Sequence, residues 1–303
     1  MLSRVIETVP PRDAPASSTD AASDETAWHR ATRLRFAVDP EGRTYLASHF
    51  ATYPHHVTRG FYLDRAGPHA ATVYLQTLSG GLTQDDRVAL QISTEGEAVA
   101  HVTTQAATKV HSMEDGYALQ LVDLSAQGKS HLEYIADPTI CFPRSRLVSR
   151  TNLCVAAEAS AILSESYIWH DPSGMDQMGF DTLILETTIR RPDGVLLALD
   201  RSRLTAAPHN LAGNPALLGP YRAFGILFAI GRSCCDAAPV AAMRAALTEL
   251  GGVYAGVSLL PGETGLCTRV LAVDGAALRA AMDRAWRLHH ETMLGWFCDA
   301  RRK

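Results

Sequence analysis

Apolar residues along this chain fall mostly in short runs, many of them alternating with polar or small residues, and the runs end at turn-forming residues. In Arg87–Thr94, Val88, Leu90 and Ile92 alternate with polar or small neighbours, the pattern of a strand buried on one face. The same reading predicts strands over Ala71–Leu78, Val99–Thr104, Tyr117–Leu124, His131–Ile135, Ile162–Ile168, Leu183–Ile189 and Val195–Leu199. Turn signals separate them at Glu95-Gly96, Gln127-Gly128, Ala156–Ser160 and Pro192-Asp193-Gly194.

These turns are nearly evenly spaced. Gly96 to Gly128 spans 32 residues, Gly128 to Ala159 spans 31, and Ala159 to Gly194 spans 35. Each step would hold two strands, so the chain adds one strand–turn–strand unit per step. Such a repeat suggests stacked units, as in a β-solenoid or a long two-layer meander. An ordinary β-sandwich with hairpins of similar size fits as well.

The last quarter changes character. Asp236 is placed to cap a helix over Ala237–Leu250, closed by Gly251-Gly252. Val253–Leu260 and Thr268–Val273 read as strands. Asp274 then caps a second helix running to about Met293, with Leu278, Met282, Ala285 and Trp286 on one face. Both helices are expected to pack beside the β body. At the other end, residues 1–27 are rich in Pro, Ala, Ser and Asp and read as a disordered tail. One domain over residues 28–303 is expected.

Composition narrows the function. The chain of 303 residues is 47% hydrophobic and 20% charged, enough to bury a sizeable core. Its net charge is −4 and its aromatics are 7%, with no basic run, which argues against nucleic acid as a partner. No stretch of about 18 apolar residues would span a membrane, and no leader pattern opens the chain. The six cysteines are scattered, as expected for a reducing, cytoplasmic setting. Cys234-Cys235 reads as a soft-metal pair or as neighbouring buried thiols.

Enzyme signatures are absent. There is no G-x-x-x-x-G-K-[ST] loop to cradle a nucleotide, no H-E-x-x-H and no G-x-S-x-G. The adjacent pairs His55-His56 and His289-His290 are poorly spaced to ligate one ion, and the second pair lies where a helix end would favour positive charge. Carboxylates are more informative. Glu165 follows Ala159 by six residues and Asp200 follows Gly194 by six, so a true repeat would make them equivalent. Each follows an apolar stretch, where a charge must be hydrated, paired or bound to a cation. Two solvated acids at strand ends fit the same spacing. Asp86, at the end of the Ser79–Asp85 loop, reads as a turn cap.

Four segments together resemble the urease accessory family UreD, called UreH in some species. Gly80-Gly81-Leu82-Thr83-Gln84-Asp85-Asp86 is similar to its G-G-x-x-x-G-D loop, and Thr103–Val110 to its T-T-[PQ]-[GA]-A-[TS]-K segment. His131–Pro138 resembles its L-E-[WY]-L-P stretch, followed by an aromatic at Phe142. Tyr254-Ala255-Gly256-Val257-Ser258 matches Y-A-G-x-S, with Arg269 and Trp286 where the family has Arg and Trp.

The resemblance implies a mainly β fold, a right-handed β-helix with a small C-terminal α+β part, and no catalytic activity. It implies a UreF-type partner that recruits a UreG-type GTPase, docking on apo-urease, and transient handling of nickel in a polar passage. No nucleotide would be bound by this chain. By motif alignment the passage positions fall on Asp86, Thr108, Glu165 and Asp200. Oxygen donors suit a conduit, because nitrogen and sulfur ligands would hold nickel(II) too tightly. Two departures stand out. Asp85 replaces the family's loop glycine, and Trp169-His170-Asp171-Pro172 replaces an L-G-R-P-like stretch. The competing expectations are a metal-dependent hydrolase, needing two or three converging histidines, and a structural solenoid adaptor without a metal role.

Overall fold

The computed structural model describes residues 30–170, 179–205, 217–299 and 301. The expected tail, and Asp171 and Pro172 of the second departure, lie outside the described residues.

The described strands are β1 (Arg30–Val38), β2 (Thr44–Ala51), β3 (His55–Val57), β4 (Ala71–Thr77), β5 (Arg87–Thr94), β6 (Val99–Thr104), β7 (Thr108–Val110), β8 (Ala118–Ala126), β9 (His131–Ile135), β10 (Thr139–Cys141), β11 (Arg146–Val155), β12 (Ser160–Trp169), β13 (Thr182–Arg190), β14 (Leu196–Thr205), β15 (Ala223–Ile230), β16 (Val253–Leu259) and β17 (Gly265–Ala272). The described α-helices are α1 (Ala237–Thr248) and α2 (Gly275–Leu294).

They form a β-solenoid of about four turns. The chain passes alternately through two facing sheets. Sheet A has the order β14-β13-β11-β8-β5-β1-β2, and sheet B the order β16-β17-β15-β12-β9-β6-β4-β3, with β10 pairing to β12 and to β7 off this path. Parallel pairing between successive turns decides between the architectures left open by the sequence. Ala71 pairs with Ala100, Val99 with His131, and His131 with Ser160. A meander or a sandwich would pair neighbours antiparallel. The stacked turns touch directly: Lys129 N–H donates to the Gly96 carbonyl at 2.8 Å. Gly96 and Gly128 have φ of 66° and 65°, and a Cβ on Gly128 would lie 2.8 Å from that same oxygen.

Two of the three steps, Gly96 to Gly128 and Gly128 to Ala159, hold a third, short strand beside the expected two. Between Gly96 and Gly128 lie β6, the short β7, and β8. Strands β11 and β15 carry no clean alternation, for opposite reasons. Ser149 and Thr151 put buried polar groups on β11. The β15 run Ala223–Ile230 is almost entirely buried, covered by sheet A on one side and α2 on the other. Antiparallel strands close the parallel stack at both ends: β2 and β3 at one, β14, β15, β17 and β16 at the other.

Helix α2 lies on the outer face of sheet B through Leu278, Ala281, Met282, Ala285 and Trp286. Its N-terminus is capped as expected, with Ala277 N–H donating to Asp274 Oδ1 at 2.8 Å. At α1, Asp236 occupies the cap position but its side chain accepts no capping hydrogen bond.

Candidate functional site

Among the polar groups between the sheets, one line interrupts the apolar clusters with a carboxylate. On β12, Leu163 belongs to one apolar cluster and Tyr167 to another, and Glu165 lies between them. On β13, Thr187 likewise separates Ile189 from Leu185. The strand registers build this line. Thr151 of β11 pairs with Thr187, which pairs with Asp200 of β14. Across the gap, Glu165 pairs with Ile226 of β15, which pairs with Arg269 of β17.

The side chains meet across the sheets. Thr151 Oγ1 donates to Glu165 Oε1 at 2.6 Å, and Thr187 Oγ1 to Oε2 at 2.7 Å. Burial raises the Glu165 carboxyl above the ordinary value; the two hydroxyls oppose that rise and the Asp200 carboxylate adds to it. Asp200 is ion-paired with Arg269 at the outer end of the line.

Strands of both sheets also line a cavity of about 40 Å³, whose walls do not include Glu165, Thr151, Thr187 or Asp200. Leu82, Val88, Leu90, Thr104, Thr108, Gln120 and Tyr134 are among its walls. Tyr134 joins the two parts: it lines the cavity and stands near enough to Glu165 for that carboxylate to add to the rise that burial imposes on its hydroxyl.

Of the four residues singled out from the sequence, Glu165 and Asp200 come together, and Thr108 lines the cavity beyond Tyr134. Asp86 stands apart. Its Oδ2 accepts from Thr83 N and Oγ1 at 2.7 and 3.0 Å, the turn-capping role its sequence position suggested. One expectation is corrected. Glu165 and Asp200 are not equivalent repeat positions, because β12 lies in sheet B while β14 folds back antiparallel in sheet A. They meet because the hairpin after Gly194 turns the chain back along β13 instead of carrying it to sheet B. Thr151 and Thr187 escaped the sequence reading, since a threonine in a strand carries no signal until its register is known.

A second polar cluster was missed altogether. Glu133 of β9 is buried and accepts four N–H groups. His101 Nδ1 (2.7 Å) and Trp286 Nε1 (2.9 Å) reach Oε2; His290 Nδ1 (2.7 Å) and His131 Nε2 (3.2 Å) reach Oε1. Burial opposes the charge, but the histidine hydrogen bonds hold this carboxyl well below the ordinary range. The spacing held a clue: His101 and Glu133 are 32 residues apart, one turn of the solenoid, and they pair in register. His289 and His290 are therefore buried in the helix–sheet interface, and not placed at the helix end to favour its dipole. Burial lowers both His101 and His289 to about 4.

Other candidates resolve simply. Among the described residues no group of three or more His, Cys, Asp or Glu could hold a metal ion. Cys234 Sγ donates to the Gly231 carbonyl, and Cys235 Sγ contacts the carbonyls of Gly231 and Glu263. No described helix is long and apolar enough to cross a membrane. Asp85 adopts φ 61°, the left-handed conformation that glycine takes freely, so the loop keeps its turn despite the changed residue. Asp85→Val is expected to cost about 1–2 kcal/mol, while Asp85→Gly gains at most about 1 kcal/mol. Urea midpoints of the two variants check this.

A family model described as UreD urease accessory protein matches residues 29–299. The chain belongs to the UreD family of urease accessory proteins. Relatives agree along the whole match. It is 38% identical over 261 residues to "Urease accessory protein UreD 1" of Methylorubrum extorquens (strain PA1), covering 86% of this chain and 87% of that one. It is 34% identical over 275 residues to "Urease accessory protein UreD 3" of Bradyrhizobium sp. (strain ORS 278), covering 90% and 95%. With "Urease accessory protein UreD 1" of Pseudomonas syringae pv. syringae (strain B728a) the identity is 32% over 274 residues, covering 90% and 95%. As a UreD protein, the chain is an accessory factor and not a catalyst.

Proposed function

We propose that this UreD protein is a nickel-delivery scaffold in urease maturation. It works in the cytoplasm with a UreF-type protein, which recruits a UreG-type GTPase, and docks on apo-urease. The ion travels between the two sheets, from the cavity beside Thr108, past Tyr134, to Glu165 and out past Asp200. Asp86 holds the loop that borders the cavity, between the cavity-lining residues Leu82 and Val88.

The observation that carries this reading is the carboxylate of Glu165, half-buried between the sheets and held, among the described residues, by the hydroxyls of Thr151 and Thr187. A charge placed there is costly unless a cation visits it. Oxygen donors suit transit: they attract nickel(II) yet release it, where imidazoles or thiolates would retain it. The converging histidines of this fold speak against a hydrolase. His101, His131 and His290 all point at Glu133, which leaves no open position for a substrate.

Complementation tests the proposal. A urease cluster lacking its own UreD gene, supplied with nickel and this chain, should yield active urease. Glu165→Gln combined with Asp200→Asn is expected to lower that activity at least tenfold, a change of about 1.4 kcal/mol in effective barrier, with complex assembly unchanged by pulldown. Undiminished activation by the double variant would refute the passage.

A further inference from the structure

The outer end of the polar line is already filled by a positive charge from the protein itself. Arg269 comes from β17 of sheet B and Asp200 from β14 at the edge of sheet A, so their ion pair bridges the gap between the sheets. The pair is asymmetric. The Asp200 side chain is 18% exposed and the Arg269 side chain 59%, which places the guanidinium on the solvent side of the carboxylate.

We propose that Arg269 is the gate of this passage: its guanidinium stands where a travelling cation must stand, and nickel(II) passes Asp200 only when Arg269 swings away. This rests on the passage reading above. Three observations favour a gate over a fixed strut. Ion pairs with a largely exposed partner are weak, because water competes for both charges, so this one opens readily. The residue paired with Arg269 on β16 is Gly256, and nothing lies within 4 Å of where its Cβ would be, which leaves room for the arginine to move. The third is the placement of Glu165 behind the pair, two strands inward from Arg269 along sheet B, where an ion that has passed Asp200 meets a second carboxylate.

Competition between two cations for one carboxylate makes a prediction that a structural role does not. Nickel(II) titrated calorimetrically into the full chain should bind Arg269→Gln roughly tenfold more tightly than the unmodified protein. Adding Asp200→Asn should abolish the gain. Arg269→Lys keeps the charge but loses the forked geometry, and it should tighten binding by a smaller factor. Unchanged or weaker nickel affinity in Arg269→Gln and Arg269→Lys, with unaltered melting, would overturn the gate. If Arg269→Gln fails to fold, the lysine variant decides alone. Failure of the passage reads differently: nickel affinity rises in Arg269→Gln while the Glu165→Gln/Asp200→Asn pair activates urease normally, and the gating role falls with it.

Discussion

Glu133→Ala is expected to lower the unfolding free energy by about 3–5 kcal/mol, the range seen when one partner of a buried charged network is removed. Alanine would leave four buried N–H groups, from His101, His131, His290 and Trp286, facing a cavity without an acceptor. Two of those donors lie on α2 and two on sheet B, so the loss falls on the seam between helix and solenoid. Glu133→Gln keeps the shape and one oxygen. Histidines can present a lone pair to the new amide, so a smaller cost of about 1–3 kcal/mol is expected. Denaturant unfolding of both variants, followed by tryptophan fluorescence, measures the difference. Equal stability of Glu133→Ala and the unmodified chain would remove the network from the account of how α2 is held.

Acidification is expected to unfold the protein over the window set by its buried imidazoles. His101 and His289 are lowered by burial from 6.5 to about 4. Between those values the unfolded chain binds protons that the folded one refuses, so stability falls as pH falls. The contribution is complete above pH 6.5 and lost by about pH 4. At 1.36 kcal/mol per unit of pKa, each histidine supplies about 3 kcal/mol. Glu133, also held low, works in the same direction at still lower pH. Glu165 works the other way: its raised carboxyl costs stability near neutrality, and that cost is relieved as it protonates. Two imidazoles titrate against this one carboxyl, so the net trend is set by the histidines. Urea unfolding at pH 7.5, 6 and 5 should show a steady decline. His289→Leu, which removes an imidazole whose Nε2 has no hydrogen-bond partner among the described residues, should remove about half the slope. A pH-independent midpoint would contradict the assigned burial of both rings.

How much of this could be read from the sequence follows from the range of each interaction. Strand β5 was legible to the residue, since Val88, Leu90 and Ile92 face one core and their neighbours do not. So were β6 and β9, and the Asp274 cap of α2, which is settled within one helical turn. The turn spacing near 32 residues carried the repeat length, because each coil must cross the same two sheets, but it left solenoid, meander and sandwich open. Strand β15 hid for a physical reason: buried on both faces, it has no polar side to mark its period. The acids Glu165 and Asp200 do lie together, but through the register of β12, β13 and β14 and not through the repeat equivalence that their spacing suggested.

The sequence by itself therefore determined the β-rich character of the chain, its repeat length, the two C-terminal helices and, through four ordered motifs, its resemblance to UreD. These depend on local alternation, capping and composition, all written within a few residues. Only the tertiary structure decided parallel against antiparallel pairing, the meeting of Glu165 with Thr151, Thr187 and Asp200, and the convergence of three histidines and a tryptophan on Glu133. Register is a relation between strands about 30 residues apart, and the contact of Glu133 with His290 spans 157 residues. A single residue of slip would turn Glu165 away from the space between the sheets, and no local pattern encodes that choice.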